Sequence, residues 1–188
     1  MNDGQYIKIE KIKEKWRVNK SNLGKAGEYF VAAKLYLNGF NVYMGGIDDG
    51  IDLVARKKEK FYYIQVKTCQ DIEGYDSGKF MAKVNLSSLS KFPTNETYLV
   101  LVLHFLGINS SIDNVGDHNR YEQEFIVIPT IKLYDFIGKT AGDCILYIYY
   151  SMVMENMDDN TWIVKLKHGK NELIADNFLL DSFWQIEI

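Results

Sequence analysis

The chain has 188 residues, 47% of them hydrophobic and only 2 of them proline, which is enough to bury one full core and excludes a disordered or collagenous chain. A formal net charge of -3 does not by itself point to a polyanionic partner, so the distribution of charge matters more than its sum. Cys69, Cys144 and 3 scattered histidines exclude both a disulfide framework and a soft-ligand metal cluster.

Residues 5 to 18 read as a short amphipathic segment with Ile9, Ile12 and Trp16 at helical spacing. Around it Lys8, Lys11, Lys13, Lys15, Arg17, Lys20 and Lys25 stand against only Glu10 and Glu14, in a chain that is otherwise acidic. A basic arm over residues 5–20 would hold a polyanion weakly and with strong salt dependence; a solvated lysine-rich surface is the competing reading. The Asn19 to Asn22 cluster offers an N-cap at Ser21 or Asn22. Leu23, Ala26, Phe30, Ala33 and Leu37 then mark the buried stripe of a helix that ends at Asn38-Gly39. Glu28 falls off the centre of that stripe, where it can reach a neighbouring strand.

Phe40 to Met44 reads as a strand and Gly45-Gly46 as a turn. In the next strand Ile51, Leu53 and Ala55 share one face, with Asp52 and Val54 on the other. Arg56 to Lys60 forms a charged hairpin turn, after which Tyr62, Ile64 and Val66 lie opposite Phe61, Tyr63, Gln65 and Lys67. Residues 68 to 78 read as a loop, followed by a short element over Lys79 to Val84 and a helix from Leu86 to Phe92 ended by Pro93. Tyr98 to Phe105 has the continuous apolar run of a covered central strand. Residues 107 to 119 form a polar excursion, Tyr121 to Ile128 another strand, and Pro129 begins a helix to about Ile137. Cys144 to Val153 and Thr161 to Lys167 make a hairpin, and the tail from Phe178 to Ile188 is apolar enough to dock. The whole reads as a single domain, with a core over about residues 21–137, the basic arm before it, and the hairpin and tail over residues 143–188.

The chemistry-bearing residues cluster at the hairpin. Cleaving a phosphodiester at neutral pH needs a positioned water and relief of the charge that grows on the phosphoryl oxygens. A magnesium or manganese ion supplies both when a few hard oxygens hold it. Asp52 is the expected principal ligand, with Glu28, the Gln65 amide oxygen and the Val66 backbone carbonyl as further donors. Lys67 is placed to orient the attacking water or steady the phosphate. Asp48 and Asp49 lie in the turn, where such side chains commonly satisfy backbone amides, and an outer-shell role is the alternative. Lys11, Lys13, Lys15, Arg17, Lys20 and Lys25 are the candidate phosphate contacts.

These residues resemble the PD-(D/E)XK nuclease superfamily. Gly50-Ile51-Asp52-Leu53 is similar to its first motif, Gln65-Val66-Lys67 to the glutamine form of its second, and Glu28 to the glutamate on its first helix. The glutamine form resembles the branch of Mrr-type restriction endonucleases, and the helical glutamate that of archaeal Holliday-junction resolvases. No proline precedes Asp52, and glutamine stands at 65 where the family more often has an acid. The resemblance implies an α/β, restriction-endonuclease-like core: a helix, a three-stranded meander, a second helix and a further strand, giving a mixed central β-sheet flanked by helices. It implies a divalent-metal-dependent endonuclease hydrolysing DNA. The alternative is a catalytically inactive module of the same fold that binds nucleic acid or a protein partner.

RNA is chemically compatible with the same site, and substrate delivery by a partner protein, recognition by a homodimer and structure-directed cleavage all remain open. The start of the chain lacks an apolar signal region, and its longest apolar run is broken by His104, so no membrane association is expected. The sparse cysteines point to a reducing, cytoplasmic setting.

Overall fold

The computed structural model describes residues 19–45, 50–70, 78–105, 122–156, 159–175, 182, 183 and 186. The basic arm up to residue 18, Asp48, Asp49, the excursion 107–119 and most of the tail lie outside these residues. Helix α1, Lys20–Leu37, begins at Asn19, whose side chain accepts from the Ser21 N–H at 2.9 Å. The cap thus falls earlier than Ser21 or Asn22, because Asn19 Oδ1 reaches an amide that the first turn leaves without a partner.

The buried face of α1 differs more from expectation. Leu23, Gly27, Val31, Ala32 and Leu35 are buried, whereas Phe30, Ala33 and Leu37 of the expected stripe are exposed. The cause is Gly27. It lies so close to Thr68 of the sheet that a methyl group there would overlap Thr68 Oγ1 and stand 3.0 Å from Thr68 Cβ. Counting apolar side chains passes over a glycine, although this is the point where the helix backbone comes nearest the strand.

Strands β1 (Asn41–Met44), β2 (Leu53–Lys57) and β3 (Lys60–Gln70) form an antiparallel meander, with Leu53 opposite Ile64 and Val54 opposite Tyr63. β3 outruns β2 and pairs in parallel with β5 (Thr97–Phe105), from Tyr63 beside Thr97 to Gln70 beside His104. Thr68 to Gln70, expected in a loop, are strand because β5 supplies their ladder. β6 (Glu122–Pro129) pairs antiparallel outside β5, which completes a mixed sheet of order β1-β2-β3-β5-β6. β5 is buried on both faces, as its unbroken apolar run requires.

A second, antiparallel sheet has the order β4-β7-β8-β9, from β4 (Lys79–Asn85), β7 (Asp143–Asn156), β8 (Asp159–His168) and β9 (Asn171–Ala175). The expected hairpin is present but longer. Helix α2 (Leu86–Leu89) is one turn, shorter than the stretch to Phe92. In α3 (Thr130–Ile137) Pro129 is the N-cap, not part of the first turn, and Gly138 closes the helix at φ 73°.

Two cores result. Val31, Leu35, Leu53, Ile64, Val66 and Val100 fill the space between α1 and the central sheet, together with Phe183 and Ile186. On the other face Leu99, Leu101 and Cys69 pack with Phe80, Leu146, Leu166 and α3. One face of the central sheet is therefore covered by a helix. The other is covered mainly by the second sheet, not by helices alone, because β4 and β7 alternate buried apolar residues with exposed ones. Ile51 belongs to this second core, away from Leu53 and Ala55, since β2 starts only at Leu53 and Gly50 bends the chain at φ 90°.

Two glycines of α1 test the close approach. Gly24 has no atom within 4 Å of an added Cβ, so Gly24→Ala should raise stability by about 0.5–1 kcal/mol through helix propensity. Gly27→Ala should lower it by about 1–3 kcal/mol, since the β-branched Thr68 has little room to yield. Urea denaturation of both variants measures the contrast; equal gains at both positions would show that α1 does not approach β3 through Gly27.

Candidate active site at the end of the meander

The site is built where β2 stops and β3 continues. Past Leu53 there is one more ladder bond, from the Asp52 N–H to the Ile64 carbonyl at 3.0 Å. Asp52 Oδ2 then accepts from the Val66 N–H at 2.7 Å, filling the place a longer β2 would have offered. A strand residue directs its own N–H and C=O to the same neighbour, so the Val66 carbonyl also opens on the Asp52 side. Beside Asp52 is a shallow depression lined by Tyr43, Gly45, Ile51, Asp52, Leu53 and Val54.

Gln65 is 2% exposed, and its Nε2 donates to the Gly50 carbonyl at 2.6 Å. Flipping the amide would set two oxygens against each other, so the hydrogen-bond chemistry fixes this orientation. It leaves Gln65 Oε1 buried without a hydrogen-bond partner among the described residues. Gly50 is held in turn by its φ of 90° and by Ser88 of α2, which any side chain at 50 would strike. Glutamine at 65 thus has a structural reason: a carboxylate would lack the donor that Gly50 receives.

Glu28 follows Gly27, and the close approach of the helix carries it toward the same strand end. Its side chain is 16% exposed, and Oε2 accepts from Lys25 Nζ at 2.6 Å. By strand alternation Gln65 and Lys67 share the face of β3 opposite α1, as expected, while Glu28 enters from the α1 side. Asp52 lies at the edge between them. Burial raises the Asp52 carboxyl above its ordinary value, and the Glu28 charge adds to the rise; the Val66 N–H, Lys67 and Lys25 oppose it.

Of the candidate phosphate contacts, Lys20 is exposed at the start of α1, while Lys11, Lys13, Lys15 and Arg17 fall outside the described residues. Lys25 is exposed as well and is ion-paired with Glu28. The i, i+3 spacing of this pair was present in the sequence. Sequence reasoning also missed Gly27, Ser88 behind Gly50, and Thr68 Oγ1, a second buried oxygen without a partner among the described residues.

Among the described residues no three His, Cys, Asp or Glu side chains gather as a metal-holding group. The hard donors at the strand end are instead two carboxylates and the Gln65 amide oxygen. Keeping a buried acceptor unsatisfied costs about 1–3 kcal/mol, and a hard cation is a partner of the right chemistry for it. Asp52, Gln65, Glu28 and the Val66 carbonyl offer oxygen donors of the kind a hard divalent ion would take.

No protein-family model and no curated protein matches the chain. Among solved structures, a bacterial homing endonuclease, I-Ssp6803I, is a distant structural match. Its TM-score is 0.44 at 13% identity, over 74% of this chain and 82% of that chain. Among the described residues no helix is long and apolar enough to cross a membrane.

The raised Asp52 carboxyl gives a pH-dependent expectation. A folded-state value above the unfolded one means the folded chain binds this proton more tightly, so the ionised form costs stability at neutral pH. Asn at 52 keeps an acceptor for the Val66 N–H and carries no charge. In chelator, Asp52→Asn should therefore be more stable than wild type at neutral pH, with the gain closing below about pH 4. Thermal denaturation across pH measures it; a less stable Asn variant at neutral pH would make Asp52 a stabilising ionic cap.

Proposed function

We propose that this chain hydrolyses phosphodiester bonds in DNA at the Asp52–Gln65–Lys67 strand end, with magnesium or manganese as cofactor. The observation that carries the reading is the buried Gln65 Oε1, left without a partner among the described residues, on the strand whose Val66 N–H holds an Asp52 that burial disfavours as an anion. When bound, the ion supplies Lewis-acid polarisation of the phosphate and a more acidic bound water.

The chain's own residues do the rest. The Val66 N–H fixes the Asp52 carboxylate, and the Gly50 carbonyl fixes the rotamer of Gln65, so two donors are oriented before any ligand arrives. Glu28 contributes negative charge from α1, balanced by Lys25. Lys67 brings a positive charge to the same end of β3, where it offsets charge on the phosphoryl oxygens and can hold a water by hydrogen bonding. RNA satisfies the same chemistry.

A specific observation favours a second reading, a non-catalytic module that binds nucleic acid or a protein partner through the same fold. Only two carboxylates meet at this strand end among the described residues, and one of them is already ion-paired.

Cleavage of supercoiled, linear, branched and single-stranded DNA with magnesium or manganese separates the two. Lys67→Ala should lower the single-turnover rate by about a hundredfold or more while DNA affinity stays nearly unchanged, because one lysine is a small part of a multi-phosphate footprint. Binding without cleavage in either metal would establish the second reading.

A further inference from the structure

Strands β1 to β3 carry the aromatic residues Tyr43, Phe61, Tyr62 and Tyr63, and all but Tyr43 are committed to partners. Tyr62 packs edge-on against Phe40 and Tyr98, with ring centres 5.8 and 6.4 Å away. Tyr63 lies 4.8 Å from Phe92, and the Arg56 guanidinium stands 5.7 Å from the centre of the Phe61 ring. Tyr43 differs: among the described residues it has no ring, cation or hydrogen-bond contact, and it is 53% exposed.

The uncommitted ring stands at the candidate site. Tyr43 pairs with Val54 across β1 and β2, and Asp52, two residues before Val54, is its diagonal neighbour. Diagonal positions of a ladder are about 7–8 Å apart, within reach of an aromatic side chain. Tyr43 and Asp52 both line the shallow depression at the end of the meander. Val42 and Met44 pack toward α1, so alternation turns Tyr43 to the face that carries Gln65 and Lys67. Gly45 follows at φ 84°, and an added Cβ there would meet nothing within 4 Å, so the rim beyond Tyr43 is open.

We infer that Tyr43 stacks on an unpaired base of the strand held at this site, so that the substrate has single-stranded character beside the phosphate that meets Asp52. The inference rests on the reading above, in so far as nucleic acid occupies the Asp52 strand end, and it names the form that strand takes. The ring is one diagonal step from Asp52, so a phosphate held there brings the base of its own or the next nucleotide to Tyr43. The rest of the lining, from Ile51, Leu53 and Val54, is apolar and offers a base edge no side-chain hydrogen bond, which suits stacking and not sequence readout. The other rings of the meander are already covered, which leaves Tyr43 as the platform. A continuous duplex keeps each base stacked between its neighbours and yields one only at the cost of unstacking it.

The test uses full-length protein in manganese with three DNA probes of matched length: a single strand, a duplex, and a duplex with a splayed single-stranded arm. Fluorescence anisotropy gives affinity, and single-turnover assays give the cleavage rate. Wild type should prefer the single strand and the splayed probe to the duplex. Tyr43→Ala should weaken binding of those two about tenfold more than that of the duplex, while Tyr43→Phe, which keeps the ring, should retain the preference. The side chain is exposed on an edge strand, so both variants should melt near wild type. A preference that survives in Tyr43→Ala, or an equal loss on all three probes, would overturn the inference while wild-type cleavage upholds the nuclease reading. A Tyr43-dependent preference in binding with no cleavage would uphold the inference and overturn that reading; no binding of any probe would overturn both. A dimer in sedimentation that Tyr43→Ala dissociates would make the ring a contact between copies and overturn the inference as well.

Discussion

The contact between Gly27 of α1 and Thr68 of β3 governs both the packing and the site. With no side chain at 27, the helix axis comes in against the strand, and Val31 and Leu35 follow onto the sheet at successive turns. The rotation this imposes sends Phe30 and Leu37 outward and turns Glu28 inward to the edge of the buried face. Packing on the apolar stripe of Phe30, Ala33 and Leu37 would bury more hydrophobic side chain, but it would direct Glu28 elsewhere. Backbone proximity decided the face of the helix, not side-chain hydrophobicity.

The strand end that receives Glu28 is held in place yet poorly satisfied. Asp52 is fixed by one backbone N–H while burial works against its charge, and Gln65 spends its nitrogen on Gly50 and leaves its oxygen bare. Buried polar groups usually find partners, and exceptions in a well-packed fold cluster where a ligand supplies what the chain does not. Lys25, although exposed, lies one turn from Glu28 and close enough to Asp52 for its charge to be felt there. Cys69, a nucleophile by residue type, is excluded from the chemistry, since burial pushes its thiol up to about 12.

Much of this was legible in the sequence wherever a two-residue period ran unbroken. The split of Tyr62, Ile64 and Val66 from Gln65 and Lys67 along β3 and the covered run of β5 follow from alternation, and their pairing reproduces the expected meander and further strand. What escaped depended on partners distant in sequence. Thr68 to Gln70 are strand only because β5 lies beside them, β9 forms only against β8, and the second sheet covers a face where helices were expected. In the candidate site, the shared face of Gln65 and Lys67 was readable, but the Lys25 pair and the hydrogen bond of the Gln65 amide were not, since each depends on how α1 and the Gly50 bend approach β3.

In the proposed site the oxygens of Asp52, Gln65 and Glu28 would take a hard divalent cation, with which Lys25 would compete. Titration of manganese into full-length protein, with free ion followed by electron paramagnetic resonance, tests it without reference to cleavage. One site is expected in wild type, weakened more than about tenfold in Asp52→Ala and tightened in Lys25→Met, which removes the competing charge and keeps the apolar stem. Indistinguishable manganese binding in all three proteins, or none in any of them, would rule out this cation site.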